Sequence, residues 1–159
     1  MKTLRISIIA FIAVATIASC TKHDTFENTL FDCECGTMDL DGRELTVRLA
    51  EGFVPDSTNQ DLWRYLVIAD YRTEEEQINH TPSEDVSFTV DILLSGGNAS
   101  ETATNVLTTT YIELPIENNW PVTDGEVSVN SGDTIHTLTF SNVVAETRVI
   151  NGEFTIIPE

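Results

Sequence analysis

Few residues in this chain have the type and spacing that chemistry needs, and those few favour binding over catalysis. Cys33-Glu34-Cys35 places two thiols at positions i and i+2, on one face of a strand. They are read either as a bridge closing a very small, redox-labile ring or as two ordinary thiols opening the first strand. Asp39-Leu40-Asp41-Gly42 has the Asp-x-Asp-Gly of a calcium loop. In an EF-hand frame, however, Arg48 falls where the bidentate Glu belongs, and the flanks read as strands. A charged hairpin turn is the simpler account. Glu74-Glu75-Glu76 is a charge run in a polar stretch and reads as solvated. His23, His80 and His136 show no ligand spacing, so neither a metal nor a cofactor is expected. No serine-nucleophile elbow, zinc-protease helix, phosphate loop or dinucleotide fingerprint is present, and no catalytic residue is assigned. The side chains best suited to a ligand are Trp120, read as an exposed loop tryptophan beside Pro121, and Tyr111. Aromatic faces of that kind stack on sugar rings or anchor a protein partner. Trp63 is read as core.

These residues sit on a β-rich pattern. Leu45, Val47 and Leu49 alternate with Glu44, Thr46 and Arg48 behind Asp41-Gly42, a strong hairpin signal. Residues 51–61 read as a loop. Leu62 to Tyr71 is apolar on both faces, as in a central strand. Residues 73–85 have room for one helical turn before Pro82. Val86, Phe88, Val90 and Ile92 form the cleanest period-2 run. Strands follow over 108–114, 125–130, 134–140 and 147–158, with 118–124 as a loop. Asn151-Gly152 marks either a hairpin turn or a bulge. About eight short strands without a convincing helix predict an all-β domain. An antiparallel sandwich is preferred, with a calycin (lipocalin-like) barrel as the alternative.

The chain has 159 residues, 26 acidic and eight basic, for a net charge of −18. Without residues 1–19, which carry Lys2 and Arg5, six basic residues remain against the 26, or −20. Such a charge argues against nucleic acid and against polybasic docking to anionic lipid. The remaining length suits one domain.

The N-terminus explains how an acidic domain could still meet a membrane. Lys2 and Arg5 precede an apolar run, Ile6 to Ala18, of about 13 residues, where a spanning helix needs about 20. Ile17-Ala18-Ser19-Cys20 closes the run and resembles the lipobox of bacterial lipoproteins. The resemblance implies a signal peptide over 1–19, lipidation of Cys20, a tether over 20–29, and a single domain over 30–159. Two or more acyl chains make a stable anchor.

A looser similarity is carried by Val106 to Tyr111, Gly125 to Val129, Leu138 to Phe140 and Ile150 to Phe154. Together they resemble a block in small outer-membrane lipoproteins of the Bacteroidota type, in which a glycine usually stands where this chain has Thr109. Asp56-Ser57-Thr58 and Asp133-Thr134-Ile135 look like the short O-glycosylation signal of that group, at Ser57 and Thr134, or are ordinary Asp-Ser/Thr turns. The implied protein is a non-enzymatic cell-envelope binding module with a glycan or protein partner. A carrier of a small apolar ligand and an accessory subunit of a surface assembly are the alternatives.

Overall fold

The structure is a computed structural model that describes residues 32–158. The signal segment 1–19, Cys20 and the tether 20–29 lie outside the described residues.

Ten antiparallel strands form one sheet among the described residues. They are β1 (Gly36–Leu40), β2 (Arg43–Phe53), β3 (Leu62–Asp70), β4 (Glu84–Leu93), β5 (Asn98–Thr102), β6 (Leu107–Glu113), β7 (Ile116–Trp120), β8 (Val122–Ser131), β9 (His136–Ala145) and β10 (Arg148–Ile156). Two short helical turns, α1 (Glu74–Ile78) and α2 (Ala103–Val106), interrupt them. The spatial order is β5-β8-β9-β10-β1-β2-β3-β4-β6-β7, and the sheet curls into a half-barrel. The fold is all-β and antiparallel, as the alternation predicts.

The curl follows from strands that change partners. β2 pairs with β1 through Arg43–Leu45 and with β3 through Thr46–Phe53, with an irregular register between Val47 and Leu49. β7 runs into β8 across Pro121 alone, leaving the β6 side for the β9 side. Strands of this kind make the corners where one sheet folds over another. Both halves turn their apolar positions inward, so Phe88 of β4 lies 5.6 Å, ring to ring, from Phe140 of β9. Phe140 in turn lies 5.3 Å from Phe154 of β10. With Met38, Val67, Leu138 and Ile150, these rings fill the middle of the fold.

Two strands exceed the sequence expectation for one physical reason. β5 and β7 are the sheet edges, and nearly all of their residues are exposed. Neither face needs an apolar row, so no period-2 signal marks them. The 118–124 loop is therefore corrected: Ile116–Trp120 pairs with β6 and the chain resumes as β8 at Val122. The Asp41-Gly42 hairpin is present, with positive φ at both residues (53° and 81°), the geometry of a type I′ turn. Asn151-Gly152 is a bulge inside β10, where the register shifts between Ile150 and Gly152. A side chain at Gly152 would meet the Phe154 ring at 2.7 Å. α1 is the helical turn expected before Pro82, closed by a capping box between Thr73 and Glu76.

Candidate functional site

One mouth of the half-barrel gathers three aromatic rings and two arginines. Their positions follow from strand parity. Tyr71 continues the inward row Tyr65-Val67-Ala69 just past β3. Tyr111 continues the row Leu107-Thr109, and Arg43 and Arg148 precede the inward rows of β2 and β10. The β6–β7 register sets Trp120 opposite Thr109. As a result, Tyr111 and Trp120 stack at 5.5 Å with planes 6° apart. Tyr71 meets both edge-on, at 5.3 and 6.0 Å. The Arg43 guanidinium lies 4.8 Å from the centre of the Tyr71 ring. That of Arg148 lies 5.8 Å from Tyr71 and 5.9 Å from Trp120. Cations over ring faces at such distances are attracted to the π-electrons.

The polar bonds around these rings hold them in place. Arg43 donates to the Tyr71 carbonyl at 2.7 Å, and Arg148 pairs with Asp41 at 3.3 Å. Asp41 also accepts the Val149 amide at 2.8 Å, which with Arg148 holds its carboxyl below the usual range. The Tyr111 hydroxyl donates to Glu84 at 3.0 Å and lies 3.3 Å from Glu113, two glutamates that face each other across β4 and β6. Burial, reinforced by those carboxylates, pushes the Tyr111 phenol up, so it stays a donor at neutral pH.

Behind Tyr71 lies a second ionic group. The Asp70 side chain is fully buried and accepts from the Arg72 amide at 2.9 Å and from its guanidinium at 3.0 and 2.7 Å. Arg48 also pairs with it, and Arg48 Nε lies 3.6 Å from Asp85. Four of the five arginines among the described residues (Arg43, Arg48, Arg72 and Arg148) therefore touch residues 70–72 of an otherwise acidic protein. A cleft of about 310 Å³ adjoins this corner, between β2 and α1, with Arg43, Arg72, Thr46 and Gln77 in its walls.

No family model matches the chain, and the comparisons with curated proteins and with solved structures give no match.

The two residues singled out as ligand contacts are thus brought together, but not as expected. Trp120 is only 7 % exposed, a correction to the exposed loop tryptophan. Pairing of β7 with β6 turns its ring inward, and Tyr111 covers its face. Tyr71, Tyr111, Arg43 and Arg148 are half-buried and form the accessible part of the cluster. The sequence reading did not single out Tyr71, Arg43, Arg148, Glu84 or Glu113 as a group. Extending the inward rows of β2, β3, β4 and β6 by two residues would have found four of them.

The remaining candidate residues lie elsewhere. Ser57 and Thr134 are exposed, one between β2 and β3 and the other between β8 and β9. Asp56 caps its turn by accepting from the Thr58 amide and hydroxyl at 2.8 and 2.7 Å. Asp39 accepts the Gly42 amide at 2.9 Å within the hairpin, whereas Asp41 ties the turn to Val149 and Arg148 of β10. Among the described residues, no cluster of three or more His, Cys, Asp or Glu has metal-binding geometry.

Cys33 and Cys35 are joined by a disulfide, with their α-carbons 5.1 Å apart. A ring this small restricts the unfolded chain by only about 1–2 kcal/mol. Glu34, between the two cysteines, has φ 53°, in the left-handed region. The bridge therefore adds little to stability, at most about 1–2 kcal/mol.

At the opposite mouth, His136 was assigned no role from sequence. It starts the inward row His136-Leu138-Phe140 and is 5 % exposed. Its Nδ1 is hydrogen-bonded to the Tyr65 hydroxyl at 2.8 Å, and Trp63 packs on the imidazole at 4.5 Å. Burial pushes the imidazole pKa down and the Tyr65 phenol up, so both stay neutral.

Proposed function

We propose that this chain is a non-enzymatic binding module of the cell envelope. Acyl chains on Cys20 hold it to the outer membrane, and the aromatic–arginine mouth takes a glycan or protein partner. One observation carries the reading: the half-buried rings of Tyr71 and Tyr111 share a corner with the guanidinium groups of Arg43 and Arg148, beside Glu84 and Glu113. Aromatic faces edged by donors and acceptors suit sugar rings, and Tyr, Trp and Arg dominate the energetic centres of protein interfaces. Phe88, Phe140 and Phe154 occupy the interior, which favours contact at the rim over an apolar ligand carried within.

The test is a glycan array together with co-purification from membranes, using the full chain and its Tyr111→Ala and Arg148→Ala variants. The expected result is a glycan or one reproducible envelope protein that is retained by the native chain and lost, by tenfold or more, with either variant. Retention undiminished by both substitutions would move the contact away from this mouth and overturn the reading.

A second reading, an accessory subunit joined by strand addition, draws on the edge strand β7. Its hairpin tip exposes Leu114 (79 %) and Ile116 (50 %), and its outer side lacks a partner strand among the described residues. A stable complex that survives both mouth substitutions but is lost on Glu117→Pro, which removes an outward-facing amide of β7, would support this alternative.

A further inference from the structure

The Cys33–Cys35 bridge is chemically distinct from the mouth and stands on different observations. Its ring holds a single intervening residue, and that residue, Glu34, is exposed with φ at 53°. Both cysteines are only half-buried, so an attacking sulfur can approach. Their backbones are nonetheless fixed from both sides. The Cys33 amide donates to the Val47 carbonyl of β2 at 2.9 Å, and the Thr155 amide of β10 donates to the Cys35 carbonyl at 2.8 Å. When the bridge opens, the two strands keep the thiols together. A half-buried disulfide in so small a ring, packed against the edge of the core and contributing little to stability, is suited to exchange rather than to bracing.

The surroundings also set which thiols can react. Asp32 and Glu34 flank the sulfurs, and the Asp32 carboxylate accepts the Glu34 amide at 2.8 Å, which keeps it against the ring. Asp32 also lines the cleft that holds Arg43 and Arg72, but among the described residues no arginine lies within ion-pair distance of either carboxylate. An approaching thiolate therefore meets two negative charges near the bridge.

We propose that the Cys33–Cys35 disulfide is a thiol-exchange centre that oxidises neutral and cationic thiols in preference to anionic ones. A thiolate attacks one cysteine Sγ, the Cys33–Cys35 bond breaks, and the displaced sulfur leaves as a thiolate that takes up a proton. A second thiolate attacks the mixed disulfide and releases the oxidised thiol pair. The remaining cysteine is then protonated. Two thiols are oxidised and one protein disulfide is reduced to a dithiol.

The experiment uses the full-length chain with cysteamine, 2-mercaptoethanol and thioglycolate. Each is normalised to its thiolate concentration and to its rate on the disulfide of 2-mercaptoethanol. Trypsin cleaves after Lys22 and Arg43, so alkylated Cys33 and Cys35 are read by mass in peptide 23–43, apart from Cys20. At low salt, the normalised rate should fall about threefold or more for each negative charge added to the thiol, and the spread should collapse near 1 M salt. Replacing the thiol with the disulfide of 2-mercaptoethanol, which takes up the two electrons and is reduced to two thiols, should restore the bridge. An Asp32→Asn, Glu34→Gln double variant should lose most of the spread. The proposal is overturned if peptide 23–43 stays unalkylated under thiol that reduces the reference disulfide. It is likewise overturned if the three normalised rates agree, or if the full spread persists in the double variant. None of these outcomes bears on the mouth.

Discussion

Acidification is the perturbation most directly set by the structure, because His136 is buried as a neutral base. In the unfolded chain its imidazole titrates near the ordinary value of about 6.5. In the folded protein, burial among Tyr65, Trp63, Ile156 and Ser131 holds its pKa lower, and no carboxylate pairs with it among the described residues. Below the unfolded pKa, the unfolded state therefore binds the extra proton and the folded state does not. His136 stabilises the protein fully above that value, and its contribution is lost as pH falls toward the folded pKa. The slope approaches about 1.4 kcal/mol per pH unit, so the loss between about pH 7 and about pH 5 reaches at most about 2 kcal/mol. Urea unfolding across that range measures it: the native midpoint should move to lower urea with an unchanged slope. His136→Gln keeps a hydrogen-bonding side chain beside Tyr65 without a titrating group, and its midpoint should stay nearly flat. Below about pH 4.5, the lowered carboxyls of Asp41 and Glu76 add their own losses in both proteins. Parallel midpoint curves for the native chain and His136→Gln between about pH 7 and about pH 5 would refute the reasoning.

Two further outcomes follow from other parts of the molecule. Asp70→Asn leaves Arg48 and Arg72 without their shared buried carboxylate and should cost about 3 kcal/mol in urea unfolding, far more than Asp91→Asn at the half-exposed pair with Arg64. Cys20→Ala should remove the acyl mass and release the protein from membranes; retention of both in the variant would refute the anchor.

The all-β class could be read from the chain because buried strands advertise themselves. Val86, Phe88, Val90 and Ile92 alternate because one face of β4 must be apolar, and Asp41-Gly42 marks a hairpin because both positions need positive φ. The edges β5 and β7 bury almost nothing, so nothing in their composition distinguishes them from loops. Trp120 was misplaced for that reason. A tryptophan between Asn119 and Pro121 looks like a loop residue until pairing with β6 turns it over Tyr111.

What the sequence by itself determined is local: strand or turn, the sign of the net charge, the inward row on each buried strand, and the nearness of Cys33 to Cys35. Those depend on spacing within a few residues and need no partner. Tertiary structure alone decided which rows meet. Arg43, Tyr71, Tyr111 and Arg148 span more than one hundred positions of chain, and only the curl of the sheet at β2 and at the β7–β8 bend brings them to one corner. The same holds for His136, whose neutrality comes from Tyr65 and Trp63 on a strand seventy residues earlier. Spacing along a chain carries no record of contacts that long-range pairing creates.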